Sequence, residues 1–568
     1  MHILNFLASF SFILLFLSSC SNNHDRFSDQ EKEDIQSQVK SIIASTIHDP
    51  SLMTPLFEKY HLKGKIEHYF KEFYERGDYT LAWLDLEGVH PQTVDLLEGI
   101  KQAHLHGLDS NSYRVQEIRE LQNKLFVDSI GADSFPTLSV QLDFALTAAF
   151  MSYGSHMLSG VISPTTNDFL WVTYPRQIDW AEYLKETLDN GEVIVALEAL
   201  APTYAQYSLL KEKLALYRAL KEDSSTNIDR PIYWDEDSVK IAAPLKEKLK
   251  LLGDLPDKAW KESNEWNESL IQAISAFQER HGIENSGFLN EETLAALNVP
   301  IDARIEQIIL NMERLRWLPK SLGDQYLLIN IPDYQLRIMN KGKAELTMKV
   351  IVGKVMTKTP VFSDTMEYIV FSPTWTVPRS ISAKEMLPKI KEDADYLARN
   401  NLILYENWAS NAQEIDPHDV KWNKIDEENF NFKIVEKPGR GNALGSVKFM
   451  FPNNHAIYLH DTPAGHLFNQ TERGFSHGCI RVEKPQVLSE YLLKENNQGW
   501  DLNKIASHMA LDTPTTVTLK RKLPIHIVYH SAWVDKDNRI HFLKDIYQQD
   551  RIQKKAIENK EHRLQKSL

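Results

Sequence analysis

The spacing of apolar residues divides the chain into a helical first part and a β-rich second part. Between about residues 46 and 240, apolar positions recur every three or four residues, as at Leu97, Ile100 and Ala103, which is the period of a helix. From residue 325 onward, short runs of β-branched and aromatic residues alternate with turn residues. The pattern predicts an α+β, multi-domain protein with a mostly helical scaffold domain over 46–240 and a β-rich domain over 325–522.

A compact helical unit is predicted between these two parts, over residues 247–300. Leu270, Ile274 and Phe277 share one helix face, and His281-Gly282 ends that helix. The Phe-Gln-x-x-His-Gly sequence of this segment, followed by Ser286-Gly287 in place of the usual Asp-Gly, resembles the small three-helix peptidoglycan-binding module. The resemblance implies glycan binding; the alternatives are a module retained only for packing and a helical spacer. An apolar stripe then predicts a linker helix over 301–322.

Two further segments stand out around the β-rich domain. Charged helical sequence and a polar loop interrupt its strands over 382–445. Long insertions of this kind commonly cover a site, so a lid is predicted, with solvated decoration as the alternative. The segment 523–568 is expected to pack on the scaffold. Its last 18 residues hold six basic and two acidic side chains, which predicts a frayed basic tail.

The N-terminus carries an apolar run from Ile3 to Leu17, followed by Leu17-Ser18-Ser19-Cys20. The run is short for a membrane-spanning helix, which needs about 20 residues, but suits the apolar core of a signal peptide. The sequence before Cys20 resembles a bacterial lipobox, although no Lys or Arg precedes it. It predicts a lipoprotein signal peptide over 1–20, lipidation of Cys20, a polar linker over 21–45 and a location outside the cytoplasm. An ordinary cleaved signal and a retained anchor are the alternatives.

Composition narrows the possible functions. Of 568 residues, 64 are Lys or Arg and 78 are Asp or Glu, so the net charge is −14 and argues against a nucleic-acid partner. Two cysteines, Cys20 and Cys479, exclude a disulfide-rich scaffold and a multi-cysteine metal site. If Cys20 carries lipid, Cys479 is a free thiol. A free thiol is unusual in an oxidising compartment, so its presence suggests a reason.

That reason is suggested by the sequence around Cys479, which reads Ser476-His477-Gly478-Cys479-Ile480-Arg481. His460 lies nineteen residues earlier, at the end of an apolar strand. A thiol reacts as its thiolate, so it needs a base or a nearby positive charge, which His460 and His477 could supply. Gly478 allows a tight turn that can aim N–H groups at an oxyanion, and Arg481 can hold a carboxylate. Together these residues predict acyl transfer.

The same residues resemble the signature of the L,D-transpeptidase (YkuD-type) catalytic domain, and Thr359-Pro360 and 457–463 sharpen the match to the large periplasmic subgroup. The resemblance implies that Cys479 is the nucleophile and His460 the general base and acid, with the carbonyl of Asp461 orienting the imidazole. It implies an oxyanion hole at Gly478 and Cys479 with His477 beside it. The implied substrate-binding and site-shaping residues are Arg481, Ser476, Tyr458 and Trp375.

The implied reaction joins peptidoglycan stem peptides. Cys479 would displace D-alanine from a donor tetrapeptide, and an acceptor amine would then take the acyl group, giving a 3→3 cross-link. No cofactor or metal is implied. The implied partners are peptidoglycan stem peptides and glycan, a membrane through the lipid, and cell-wall synthesis enzymes. In this family the thiolate is also acylated by carbapenems.

Three other interpretations compete with this one. A zinc hydrolase could draw ligands from His455, His460, His466, His477 and Cys479, although their spacing fits no helix-based zinc motif. The same fold could pass the acyl group to water, as an L,D-carboxypeptidase, or to a protein amine, as an attachment enzyme. A wall-binding lipoprotein without activity would use only the module and the tether.

Overall fold

The computed structural model describes residues 26–128, 130–164, 171–172, 176–225, 228–233, 238–256, 265–496 and 499–566, with only the backbone given for 238–239 and 561–566. The predicted signal peptide and Cys20 lie outside these residues. The α+β, multi-domain prediction is confirmed, with a helical N-terminal region and a β-rich C-terminal domain. Among the described helices, none is both long and apolar enough to cross a membrane.

The helical region is built around one buried helix, α6 (Phe135–Ser159), because most of its residues are apolar. The Asp143 carboxylate on α6 accepts hydrogen bonds from the Tyr74 hydroxyl, at 2.7 Å, and from the backbone of Ala82 and Trp83, each at 2.8 Å. These bonds satisfy the buried carboxylate and fix a loop to the helix. The surrounding helices are α1 (Asp29–Ile47), α2 (Pro50–Lys59), α3 (Lys65–Arg76), α4 (Pro91–Lys101), α5 (Val115–Phe126), α7 (Trp180–Asn190), α8 (Val193–Ala199) and α9 (Ala205–Glu222).

The prediction of a polar linker over 21–45 is wrong from Asp29 onward, where α1 begins. Ser28 caps this helix in a capping box with Glu31. Four apolar side chains at four-residue spacing are buried against the scaffold, namely Ile35, Val39, Ile43 and Ile47. The residues between them are mainly uncharged polar ones, and most lie on the solvent face, so overall polarity concealed an amphipathic helix.

The unit predicted over 247–300 begins earlier, at Ser238. Its three helices, α10 (Ser238–Leu251), α11 (Glu268–Arg280) and α12 (Glu291–Leu297), pack around their own apolar core. The side-chain amide of Gln278 binds the loop between α11 and α12: its oxygen accepts from the backbone N–H groups of Ser286 and Gly287. The long helix α13 (Ile301–Arg316) follows and packs against α9.

The β-rich domain is a sheet closed on itself. Strand order is β1-β5-β13-β2-β3-β4-β12-β10-β9, β9 pairs again with β5, and β11 pairs with β4. Apolar side chains from the strands fill the interior. The strands are β1 (Trp171–Val172), β2 (Gln325–Asn330), β3 (Gln335–Asn340), β4 (Lys343–Gly353), β5 (Val361–Phe371), β9 (Val447–Met450), β10 (Leu459–His460), β11 (Gly474–Ser476), β12 (Ile480–Val482) and β13 (Thr515–Val528). Helices α17 (Pro485–Leu493) and α18 (Leu502–Met509) precede β13.

The insertion predicted over 382–445 forms a small subdomain that begins earlier, at Trp375, and that we call the lid. Strands β6 (Trp375–Thr376), β7 (Leu402–Tyr405) and β8 (Lys433–Glu436) form a sheet in the order β6-β8-β7. Helices α14 (Arg379–Ile381), α15 (Leu387–Glu392) and α16 (Tyr396–Arg399) pack on it, with a π-helical turn at Ser382–Met386. The lid has its own apolar core, so it is a folded unit rather than a solvated loop.

The C-terminal segment runs back along the scaffold. It contains β14 (Ala532–Val534), β15 (Ile540–Phe542) and α19 (Gln549–Lys566), so the predicted frayed tail is helical through Lys566. Gln206 on α9 donates to the carbonyl of Val534 at 2.6 Å, and Gln553 on α19 donates to that of Leu310 on α13 at 3.0 Å. Lys560 donates to the carbonyl of Val161 at 2.6 Å, so positive charges in the tail have structural partners.

One buried ion pair joins the three-helix unit to this segment. Arg280 binds both carboxylate oxygens of Asp254, at 2.6 and 2.5 Å, and donates to the carbonyl of Ile540 at 3.1 Å. The pair is almost fully buried, so Asp254→Ala leaves a charge without compensation, and we expect it to cost about 3–5 kcal/mol. The exposed Glu279–Arg539 pair is the control: Glu279→Ala should cost less than about 1 kcal/mol. Calorimetry measures both, and equal losses would contradict the expectation.

Candidate active site

The turn that carries Cys479 connects β11 to β12 and is stabilised by the hydroxyl of Ser476. Ser476 Oγ accepts a hydrogen bond from the amide of Gly478 at 3.1 Å and donates to the carbonyl of Cys479 at 2.5 Å. Gly478 has φ +116°, a conformation that strongly favours glycine. The turn thus depends on both Ser476 and Gly478, two of the predicted site residues.

The direction of the amides in this turn changes the predicted oxyanion hole. The Gly478 N–H is used by Ser476, so it is not available to an oxyanion in this conformation. The Cys479 N–H makes no hydrogen bond within the described part of the chain. The donor available to a developing oxyanion is therefore the amide of Cys479 rather than that of Gly478.

Strand pairing brings His460 to the same face as Cys479. β10 runs parallel to β12, with Leu459 opposite Ile480 and His460 opposite Arg481. Because side chains two residues apart share a face, Tyr458 and His460 lie on the face that Cys479 and Arg481 occupy. All four of these residues line one cavity.

His460 is held as a neutral base. Its Nδ1 lies 2.6 Å from the carbonyl of Asp461, which can only accept, so Nδ1 carries the proton and Nε2 is left to accept one. Burial, together with the positive charges of Arg481 and Lys448, lowers the pKa of His460 to about 3. Hydrogen bonds from the ring to the backbone of Asp461 and Leu444 favour the charged form and only partly oppose this. The Asp461 carboxylate points away, accepting from the amides of Ser446 and Thr462.

Cys479 is a free thiol that is also held neutral. Burial raises the pKa of the Cys479 thiol, and hydrogen bonds from Tyr458 and the charge of Lys448 only partly oppose this. The sequence suggested that His460 and His477 could lower the pKa of the thiol, but at rest the pKa of Cys479 is raised instead. The resting pair is a thiol and a neutral imidazole, and the thiolate must form by proton transfer.

His477 lies at the mouth of the cavity and contacts the lid. Its Nε2 lies 2.8 Å from Oε1 of Glu385, in the π-helical turn of the lid. Such turns are frequent at functional sites. The sequence motif around Cys479 therefore contacts the lid through His477. No sequence pattern indicated Glu385 as a site residue.

The cavity lies between the sheet and the lid and has a volume of about 270 Å³. Burial and the neighbouring Cys479 raise the pKa of Tyr458, and the Trp375 side chain opposes this shift. Arg481 is half-buried and lines the cavity, so its guanidinium can bind a substrate carboxylate. The lining residues are Trp375, Pro378, Ile381, Glu385, Met386, Lys389, Tyr396, Ala443, Leu444, Tyr458, His460, Ser476, His477, Cys479 and Arg481.

Lys448 is a second functional candidate that sequence reasoning missed. It lies on β9 directly opposite His460, so His460 is flanked by Lys448 on one side and Arg481 on the other. Its ammonium lies 5.9 Å from the ring centre of Tyr458, the residue that contacts the thiol. Only the strand register, which the sequence does not give, could have revealed this arrangement.

The described residues contain no group of three or more His, Cys, Asp or Glu side chains arranged to hold a metal ion. Of the five residues considered for zinc, His460, His477 and Cys479 line the cavity, whereas His455 lies against the ring of Phe362 and His466 is exposed.

Comparison with known proteins identifies the domain. Residues 324–517 match the family model of the L,D-transpeptidase catalytic domain (YkuD), and residues 68–214 match that of a scaffold domain. A Haemophilus influenzae protein, named provisionally as an L,D-transpeptidase, is 34% identical over 246 residues, which are 43% of this chain and 48% of that protein. The chain thus matches about half the length of this relative.

A solved structure gives a more distant likeness. The crystal structure of an L,D-transpeptidase (Yku) from Stackebrandtia nassauensis is 12% identical, with a TM-score of 0.21, covering 52% of this chain and 96% of that one. The L,D-transpeptidase resemblance proposed from the motif is confirmed by the family match.

The protonation state of the site can be tested by alkylating Cys479 with iodoacetamide. Because burial raises the thiol pKa and His460 is neutral, the rate should rise about tenfold per pH unit from pH ~5 to ~8, without a plateau. Peptide mass spectrometry follows Cys479 specifically. His460→Gln should leave the position of this profile unchanged, since a neutral ring adds no charge. If the rate instead levels off above a midpoint below pH ~7, and His460→Gln removes this behaviour, the result would indicate a thiolate–imidazolium pair and contradict the expectation.

Proposed function

We propose, on the premise that residues 324–517 belong to the YkuD family of L,D-transpeptidase catalytic domains, that this chain makes 3→3 cross-links in peptidoglycan. The observation that carries the proposal is the placement of Cys479 and His460 on one face of paired strands, inside a cavity bordered by the lid. A nucleophile, a neutral base and an unoccupied amide donor are the three groups that acyl transfer requires.

In the first half of the reaction, Cys479 Sγ attacks the carbonyl that joins the L-centre of meso-diaminopimelate to the terminal D-alanine. Its proton passes to Nε2 of His460, and the negative charge on the carbonyl oxygen meets the amide of Cys479. His460 then gives the proton to the departing amine, the C–N bond breaks and a thioester remains. Tyr458 and Trp375 line the groove for the stem peptide, and Arg481 holds a carboxylate of the donor.

In the second half, the side-chain amine of an acceptor stem attacks the thioester, loses a proton to His460 and releases Cys479. The thioester must persist until that amine arrives, so water has to be kept out. The lid suits this role because it has a core of its own and its Glu385 meets His477 beside the nucleophile.

Water or a protein amine as acceptor would give an L,D-carboxypeptidase or an attachment enzyme on the same fold. The lid borders the cavity and limits the access of water to a thioester on Cys479, so we place cross-linking first. The non-enzymatic alternative, a wall-binding lipoprotein, leaves the arrangement of Cys479 and His460 without a purpose.

We also propose that the protein acts outside the cytoplasm. The sequence Leu17-Ser18-Ser19-Cys20 supports lipidation of Cys20 and a bacterial membrane anchor. The unit of α10, α11 and α12 is proposed to bind glycan, which would hold the enzyme on its substrate, and cell-wall synthesis enzymes are proposed partners. Acylation by carbapenems is proposed on the same grounds as the thioester.

The reaction is tested with a disaccharide-tetrapeptide and mass spectrometry. The wild type should release D-alanine and form dimers joined through two diaminopimelate residues. Cys479→Ala should lower both products by at least about 1000-fold, because the nucleophile is lost. The control is His466→Ala, which changes an exposed histidine considered for zinc and should stay within about twofold of the wild type. Tripeptide monomer as the sole wild-type product would replace cross-linking with carboxypeptidase activity.

The role of the lid is tested by Glu385→Ala, which removes the contact with His477. If the lid excludes water, the ratio of hydrolysed to cross-linked product should rise several-fold, about threefold or more. The control is Glu427→Ala, another exposed lid glutamate, which pairs with Lys384 within the lid. An unchanged ratio in Glu385→Ala, with the total rate preserved, would contradict the lid proposal.

A further inference from the structure

The catalytic turn is supported from beneath by Thr359, which lies in the loop between β4 and β5. Thr359 is fully buried. Its hydroxyl donates to the carbonyl of Gly478 at 2.7 Å and accepts from the amide of Gly353 at 2.9 Å, so both its hydrogen-bond roles are fixed. Because a peptide group is planar, holding the Gly478 carbonyl also sets the direction of the N–H on the other side of that bond. That N–H belongs to Cys479, the amide left open to an oxyanion.

Thr359 is in turn held by a residue from the far end of the chain. The hydroxyl of Tyr547 donates to the carbonyl of Gly353 at 2.5 Å and accepts from the amide of Thr359 at 3.3 Å. Tyr547 is buried and lies beyond the residues that match the catalytic family. The contact is tight: a Cβ on Gly353 would lie 2.0 Å from the carbonyl oxygen of Thr357.

Tyr547 is connected to helices α19 and α13 by a series of hydrogen bonds that ends in an ion pair. Its amide donates to the hydroxyl of Tyr529 at 2.9 Å, and that hydroxyl donates to Asp545 at 2.6 Å. The Asp545 carboxylate also accepts from the first amides of α19, at Gln549 and Asp550. Helix α19 is fixed to α13 by the ion pair of Asp550 with Arg314 at 2.7 Å.

We infer that Thr359 and Tyr547 are positioning residues for acyl transfer, and that the C-terminal segment completes the active site by aiming the Cys479 amide at the oxyanion. This inference rests on the proposed function of the site. Neither residue lines the cavity, so both act through the backbone of the turn rather than on substrate.

The test separates two reactions of Cys479 in the full-length protein. With p-nitrophenyl acetate, the thiolate attacks the ester carbonyl, a C–S bond forms, the ester C–O bond breaks and nitrophenolate leaves through an oxyanion intermediate. With iodoacetamide, a C–S bond forms and iodide leaves, without an oxyanion. Only the first reaction needs the aimed amide.

Tyr547→Phe and Thr359→Val each remove a hydroxyl and keep the shape of the side chain. We expect either change to slow acylation at least about tenfold, while alkylation stays within about twofold of the wild type. Thr359→Ser, which keeps the hydroxyl, should restore acylation. The matched controls Tyr491→Phe and Thr518→Val alter groups outside this series and should change neither rate.

Equal loss of both rates, or no loss of either, would overturn the inference, because a purely structural role would not separate the two reactions. A variant that fails to fold exposes the buried thiol, so its alkylation becomes faster rather than slower, which identifies misfolding. The comparison of Thr359→Ser with Thr359→Val then still isolates the hydroxyl. The proposed function fails separately: a wild type that makes no muropeptide product contradicts cross-linking, whereas this comparison needs only the thiol.

Discussion

The parallel pairing of β10 with β12 is the constraint on which the site depends. Its register places His460 beside Arg481 and leaves Tyr458 and Cys479 on the same face. A shift of one residue would turn one member of each pair to the opposite face and separate base from nucleophile. The closed sheet resists such a shift, because β9 pairs with both β10 and β5 and leaves little freedom at this edge.

This placement also determines the charge state of the site. Burial favours neutral forms of both Cys479 and His460, and the flanking charges of Lys448 and Arg481 further disfavour a protonated imidazole. The same two positive charges stabilise negative charge that appears during the reaction, on sulfur or on the carbonyl oxygen. The resting site therefore contains no preformed thiolate. Its surroundings instead stabilise the negative charge that forms on sulfur or on the carbonyl oxygen in the transition state.

The sequence revealed the reacting residues of the site but not most of the residues that hold them in place. His460 and the turn that carries Cys479 lie within about twenty residues of each other, so a local motif could reveal them. The change in the spacing of apolar residues likewise predicted the helical and the β-rich domains. Helix α1 was missed because its four buried residues are separated mainly by polar ones. The use of the Gly478 amide by Ser476 depends on the fold of the turn. Glu385, Thr359 and Tyr547 reach the site across more than ninety residues of sequence, and Lys448 reaches it through strand register. No local pattern encodes such contacts.

The end of β13 explains why the catalytic domain cannot be treated apart from the rest of the chain. Ile527 packs in the core of the closed sheet, whereas the next residue, Val528, packs in the cluster formed with α9 and α13. Alternation of side chains along one strand thus joins two cores. The chain then continues through Tyr529, whose hydroxyl holds the backbone of Tyr547, to the loop beneath the nucleophile. A domain boundary drawn where the family match ends, at residue 517, would cut through β13 and remove the residues that hold the catalytic turn from behind.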